Sequence, residues 1–113
     1  MNVGIILAGG TGTRVGADVP KQFINVRGKP VLAYTLELFE RNPRIDAIEV
    51  VCHADWLDEI SEVANRCGIS KVKWVCRGGD TFQRSVLNGV NNLREELGDQ
   101  DIVVISFGVS PMT

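Results

Sequence analysis

The chain has 113 residues, 44% of them hydrophobic, and a formal net charge of −2. That length holds at most one small domain, and the composition supports a core rather than disorder. The charge gives no electrostatic case for nucleic acid or an anionic membrane, and no apolar run approaches the roughly 20 residues of a membrane span.

Residues 3–8 (VGIILA) read as a first strand, buried on both faces. A polar, Gly-rich loop over 9–20 follows, then an extended piece at 22–26 and a turn at Arg27-Gly28. Pro30 suits the first position of a helix over 31–41, with Leu32, Leu36 and Phe39 on one face and Asn42-Pro43 as its end. Residues 47–52 (AIEVVC) read as a second strand. Asp55 is the expected N-cap of a helix over 56–67, whose inward face is Trp56, Ile60, Val63 and Cys67, and Gly68 is its stop. Residues 72–76 (VKWVC) form a third strand. Gly78-Gly79-Asp80-Thr81 is a second glycine turn, with Asp80 or Thr81 capping a helix over 82–96. Val86, Val90, Leu93 and Leu97 form the expected inward stripe of that helix, which ends at Gly98. Residues 101–106 (DIVVIS) are a fourth strand, followed by Phe107 to Thr113. A strand so close to the end lacks a covering helix, so the chain is expected to be the front part of a longer protein. The β-α-β-α-β-α-β order predicts an α/β fold with a doubly wound, mostly parallel sheet. Ligands in such sheets sit at the carboxyl ends of the strands, and both glycine turns fall on that edge.

Met1 leads straight into strand-like sequence with no basic segment or cleavage site, so no secretory signal is expected. Cys52, Cys67 and Cys76 lack CxxC spacing and read as reduced thiols of a cytoplasmic protein. His53 is the only histidine, which argues against Ser–His–Asp chemistry and a multi-histidine metal site, and at a strand end it reads as incidental. Trp56 and Trp74 read as core or interface residues, and Asp58, Glu59 and Glu62 as a solvated helix face.

The stretch Leu7-Ala8-Gly9-Gly10-Thr11-Gly12-Thr13-Arg14, with Pro20-Lys21-Gln22 behind it, carries the chemistry. Its glycines let the backbone bend tightly, and successive N–H groups can face phosphate oxygens. The spacing fits neither a dinucleotide fingerprint, since Val15 stands at the third glycine position, nor a Walker A loop, since no Gly-Lys-Ser/Thr follows. Arg14 and Lys21 could offset charge developing on a phosphate.

LAGGTGTR with VPKQF at this spacing, then KPVLAYTLELF and GGDTFQRSVLNGV, resembles the 2-C-methyl-D-erythritol 4-phosphate cytidylyltransferases. It is equally similar to their relatives, the ribitol-5-phosphate cytidylyltransferases, and the likeness runs over about residues 3–111. The resemblance implies a Rossmann-like fold of the nucleotide-diphospho-sugar transferase type and transfer of CMP from CTP to a sugar-alcohol phosphate with release of pyrophosphate, 2-C-methyl-D-erythritol 4-phosphate being the leading acceptor and ribitol 5-phosphate or another polyol phosphate the alternative. It implies that Leu7, Ala8, Gly9, Gly10 and Gly12 wrap the nucleotide through backbone groups, and that Arg14 and Lys21 are the catalytic cations. Gly79, Asp80 and Ser85 would form a second nucleotide-binding turn. It further implies Mg²⁺, a cytoplasmic homodimer in the full-length protein, and that residues 1–113 are the nucleotide-binding half of one cytidylyltransferase domain.

Three positions depart from the family pattern. Phe82 stands where members commonly carry Arg, Phe107 where the metal-holding Asp is expected, and Ser110 where another Arg is expected. A hard cation needs oxygen ligands, so Phe107 weakens the Mg²⁺ expectation, and no metal-ligating residue is assigned. A changed site, a metal held by residues beyond the chain, and a non-catalytic nucleotide-binding homologue all fit these departures. A nucleotidyltransferase making another activated sugar or alcohol is a further alternative, against which Pro20-Lys21-Gln22 argues.

Overall fold

The computed structural model describes residues 1–8, 25–98 and 100–106. Its centre is β1 (Asn2–Ala8), where Val3 to Ala8 are all buried. In chain order follow β2 (Asn25–Val26), β3 (Lys29–Pro30), α1 (Val31–Arg41), β4 (Ala47–Cys52), α2 (Leu57–Arg66), β5 (Val72–Arg77), α3 (Phe82–Asn92) and β6 (Ile102–Ser106). Four strands form one parallel sheet in the order β5-β4-β1-β6. The chain steps outward from β1 to β4 to β5, then crosses back to β6. The strand order therefore reverses between β1 and β6, the place where such sheets bind ligands.

Helices cover both faces, which is why β1 and β4 are apolar at nearly every position rather than at alternate ones. Ile6, Ala8, Ile48, Val50 and Cys52 pack under α1 and α2 with Leu32, Leu36, Ile60 and Val63. Val3, Ile5, Leu7, Ala47 and Val51 pack on the opposite face with Leu93, Val86 and Trp74. The doubly wound sheet expected from the sequence is thus present. Gly4 has a packing reason: a Cβ built there would overlap the Phe39 ring of α1.

Several local expectations are corrected. Pro30 is not the first helical residue. It pairs with Asn25 in the small β2–β3 hairpin and holds the extended N-cap conformation, φ −61° and ψ 150°. The hairpin turn uses Arg27 at φ 53° and Gly28 at φ 91°, two left-handed residues as tight hairpins require. Residues 22–24 of the expected extended piece lie outside the described residues.

Asp55 does not cap the second helix. A 3-10 turn over Ala54–Trp56 precedes α2, and His53 caps it, its Nδ1 accepting from the Asp55 N–H at 3.1 Å. The lone histidine thus has a local structural task. Gly68, at φ 70°, follows α2 as expected, and Ile69 N–H closes the end on the Ala64 carbonyl.

The third helix ends at Asn92, not at 96, and residues 93–96 continue as turns. Asn91 and Asn92 are weak helix formers, and Leu93, fully buried, anchors the exit into the core. The inward stripe also differs. Gly89 is buried where Val90 was expected, and Val90 is 39% exposed. Gly89 lets α3 lie close on the sheet: a Cβ there would stand 3.0 Å from both Glu49 Oε1 and Val51 Cγ2. β6 agrees with the expectation of an uncovered last strand, since Ile102, Val104 and Ile105 are all exposed.

Candidate functional site

The register across the sheet aligns the strand ends. Ala8 is opposite Cys52, and Cys52 is opposite Arg77. At about 4.8 Å between neighbouring strands, the end of β1 and the end of β5 stand about 10 Å apart on one edge. The first glycine loop starts from Ala8 and the second glycine turn from Arg77. The strand ends from which the two stretches leave therefore share the carboxyl edge, on either side of β4.

Leu7 and Ala8 are buried, one under α3 and the other under α1 and α2. Their side chains belong to the core, so only their backbone could serve a ligand. Gly9, Gly10, Gly12, Arg14 and Lys21 lie outside the described residues, as do Phe107 and Ser110.

The second turn is described in full. Gly78 N–H extends the sheet pairing by donating to the Cys52 carbonyl at 2.9 Å. Gly79 N–H donates to Ser85 Oγ at 3.0 Å. Thr81, rather than Asp80, is the N-cap of α3, its Oγ1 accepting from Arg84 N–H at 3.1 Å. Gly79, Asp80 and Ser85 are thus brought together at the α3 N-terminus. Ser85 has one further capacity: a hydroxyl that accepts from Gly79 can still donate its own proton. Among the described residues the Asp80 N–H meets no acceptor, so the turn one residue before the α3 N-cap has an open amide for an anionic or polar ligand. Arg77 and Arg84, both exposed, flank the turn in sequence.

Both glycines are required by close approach. A Cβ at Gly78 would fall 2.9 Å from Ser85 Oγ, and one at Gly79 would fall 2.5 Å from Arg84 Cβ. Sequence reasoning passed over Asn88, whose Nδ2 donates to the Arg77 carbonyl at 3.1 Å. Its spacing of three from Ser85 was the available signal, since both side chains then share one flank of α3.

Two thiols near the edge are held toward their protonated form. Burial pushes Cys52 up to about 12. Burial, with the Glu49 carboxyl nearby, pushes Cys76 up to about 12 as well. All three cysteines are free thiols. Among the described residues no group of three or more His, Cys, Asp or Glu converges as a metal site.

Comparison with known proteins accounts for this arrangement. The family model for 2-C-methyl-D-erythritol 4-phosphate cytidylyltransferase matches residues 2–113. A ribitol-5-phosphate cytidylyltransferase of Lacticaseibacillus paracasei is 46% identical over 112 residues, covering 99% of this chain and 48% of the relative. A 2-C-methyl-D-erythritol 4-phosphate cytidylyltransferase of Geobacter metallireducens is 44% identical over 108 residues, covering 95% and 47%. A solved 4-diphosphocytidyl-2C-methyl-D-erythritol synthase from Anaerococcus prevotii superposes with a TM-score of 0.72 at 28% identity, covering 98% of this chain and 44% of its own. The chain spans about half the length of the curated relatives it matches. With a family model matched over residues 2–113 and a 3-2-1-4 order of sheet strands, the chain belongs to the 2-C-methyl-D-erythritol 4-phosphate cytidylyltransferase family.

Proposed function

We propose that the chain is the nucleotide-binding half of a cytidylyltransferase domain that transfers CMP from CTP to a sugar-alcohol phosphate. The observation that carries this reading is the shared edge. The end of β1, beside which strand order reverses, and the Gly78-Gly79-Asp80 turn after β5 lie on the same carboxyl edge of the sheet, on either side of β4.

In this reading an oxygen of the acceptor's phosphate attacks the α-phosphorus of CTP in line. A bond forms from that oxygen to the α-phosphorus, the bond to the bridging oxygen breaks, and pyrophosphate leaves. Little covalent work falls to the protein, so positioning and charge stabilisation carry the rate. Leu7 and Ala8 lead the backbone of Gly9, Gly10 and Gly12 around the nucleotide. Gly79, Asp80 and Ser85 offer an open amide and a hydroxyl proton from the other side. Arg14 and Lys21 offset the charge on the α-phosphate as it becomes five-coordinate.

Mg²⁺ fits the described residues poorly. A hard cation seeks several oxygen ligands, and Asp80 is the one carboxylate that the described residues place beside the second turn. The ordering of charge is therefore assigned to amides and cations of the chain. A homodimer and a cytoplasmic location complete the reading. Among the described residues no helix is long and apolar enough to cross a membrane.

For the acceptor, 2-C-methyl-D-erythritol 4-phosphate follows from the family description. Ribitol 5-phosphate is favoured by the relative that is 46% identical. Pyrophosphate release by the full-length protein, with CTP and each polyol phosphate in turn, separates the two. Release with neither acceptor, alongside intact CTP binding, would instead support a nucleotide-binding module without turnover.

A further inference from the structure

We propose that Asn88 is a positioning residue of the second glycine turn, fixing the strand end from which the turn is aimed at a nucleotide. The nucleotide part of this proposal rests on the function proposed above.

Three ties hold the segment 77–79. Gly78 N–H is bound to the Cys52 carbonyl, Gly79 N–H to Ser85 Oγ, and the Arg77 carbonyl to Asn88 Nδ2. The first comes from the sheet and the other two from α3. Ser85 and Asn88, three residues apart, grip the two ends of the same short run from one helix flank. The partner of Asn88 is a carbonyl, which accepts only, so the side-chain nitrogen must face it.

The turn needs such ties. Gly78 and Gly79 lack the Cβ that restricts other residues, so their backbone explores many conformations unless held. Larger residues cannot supply the restriction, because the Cβ positions are already occupied by Ser85 and Arg84. Restraint must therefore come from side chains reaching in. Without the Asn88 amide the Arg77 carbonyl turns to water. The Arg77–Gly78 peptide plane then rotates, and the direction of the Gly79 and Asp80 amides drifts. Asn88 itself is exposed, so it contributes little packing to the core.

The test compares Asn88→Leu, near in size but without a donor, with Asn88→Gln, which keeps one. Thermal melting by circular dichroism confirms that both variants fold. Amide hydrogen exchange at Gly79 and the CTP dissociation constant are then measured. Losing one hydrogen bond should raise both the Gly79 exchange rate and the CTP dissociation constant about three- to tenfold in Asn88→Leu. Asn88→Gln should return both toward wild type. Unchanged Gly79 exchange in Asn88→Leu, with wild-type protein binding CTP normally, overturns the role of Asn88 alone. Equal losses in the two variants overturn it as well. Wild-type protein that binds no CTP defeats the function proposed above, and the nucleotide part of this proposal with it. Gly79 exchange then decides, by itself, whether Asn88 holds the turn.

Discussion

Replacing Glu49 by Gln should stabilise the chain at neutral and alkaline pH and flatten its pH dependence. Glu49 lies on β4, fully buried beneath α3. Its Oε2 accepts from Asn92 Nδ2 at 2.8 Å. Its Oε1 has no hydrogen-bond partner among the described residues and faces the bare Cα of Gly89, and the Cys76 thiol, a weak donor, lies near the carboxyl group. Burial holds the carboxyl above its ordinary range, and the Asn92 and Cys76 contacts offset only part of that. The folded state therefore binds this proton more tightly than the unfolded chain. Its stabilising effect is complete below the unfolded carboxylate range and is lost as pH rises through the raised folded value. An unpartnered charged oxygen in the core costs about 1–3 kcal/mol. Gln keeps the volume and the Asn92 bond while removing the charge. Urea unfolding followed by circular dichroism at pH 5, 7 and 8.5 measures the difference. Glu49→Gln should exceed wild type by about 1–2 kcal/mol at pH 8.5 and approach it at pH 5. A variant less stable than wild type at pH 8.5, or one that loses stability in parallel with it, would refute the reasoning.

Gly89→Ala places a methyl 3.0 Å from Glu49 Oε1 and Val51 Cγ2, so those buried side chains or α3 must shift by a few tenths of an ångström. It should cost about 1–3 kcal/mol in urea unfolding. With their thiols pushed up to about 12, Cys52 and Cys76 should resist iodoacetamide at pH 8 until the chain is unfolded. Mass spectrometry of the native protein after labelling reads this, and rapid labelling of Cys52 would contradict it. Arg14→Ala and Lys21→Ala should each lower pyrophosphate release by about 10²–10³-fold while changing CTP affinity far less. Stopped assays with saturating CTP check this, and unchanged turnover would remove both residues from the mechanism.

The centre of the sheet was legible because its two inner strands are apolar on both faces. VGIILA and AIEVVC admit no amphipathic helix, and the intervening helices show their inward residues at regular spacing. Details that depend on packing were not legible. Periodicity counts apolar side chains, so it chose Val90 and could not see that Gly89 faces the sheet. The early end of α3 follows from the burial of Leu93, a tertiary effect. The His53 cap escaped because Asp is the commoner N-cap and the 3-10 turn before α2 leaves no periodic trace. Glu49 did leave a sign, a charged residue inside a doubly buried strand. At the candidate site, the position of the second turn was readable from its glycines. The Asn88 tie was not, since a polar residue on a helix looks solvated until the strand end beside it is known. Arg14, Lys21 and the first loop rest on motif resemblance and lie outside the described residues.

The central claim is that the two glycine turns on one sheet edge make a cytidine nucleotide site. Titration of the protein with CTP, UTP, GTP and ATP, each with Mg²⁺, tests it most directly. CTP should bind at least about tenfold more tightly than the other three, about 1.4 kcal/mol of preference. Tighter binding of UTP, GTP or ATP would contradict the account.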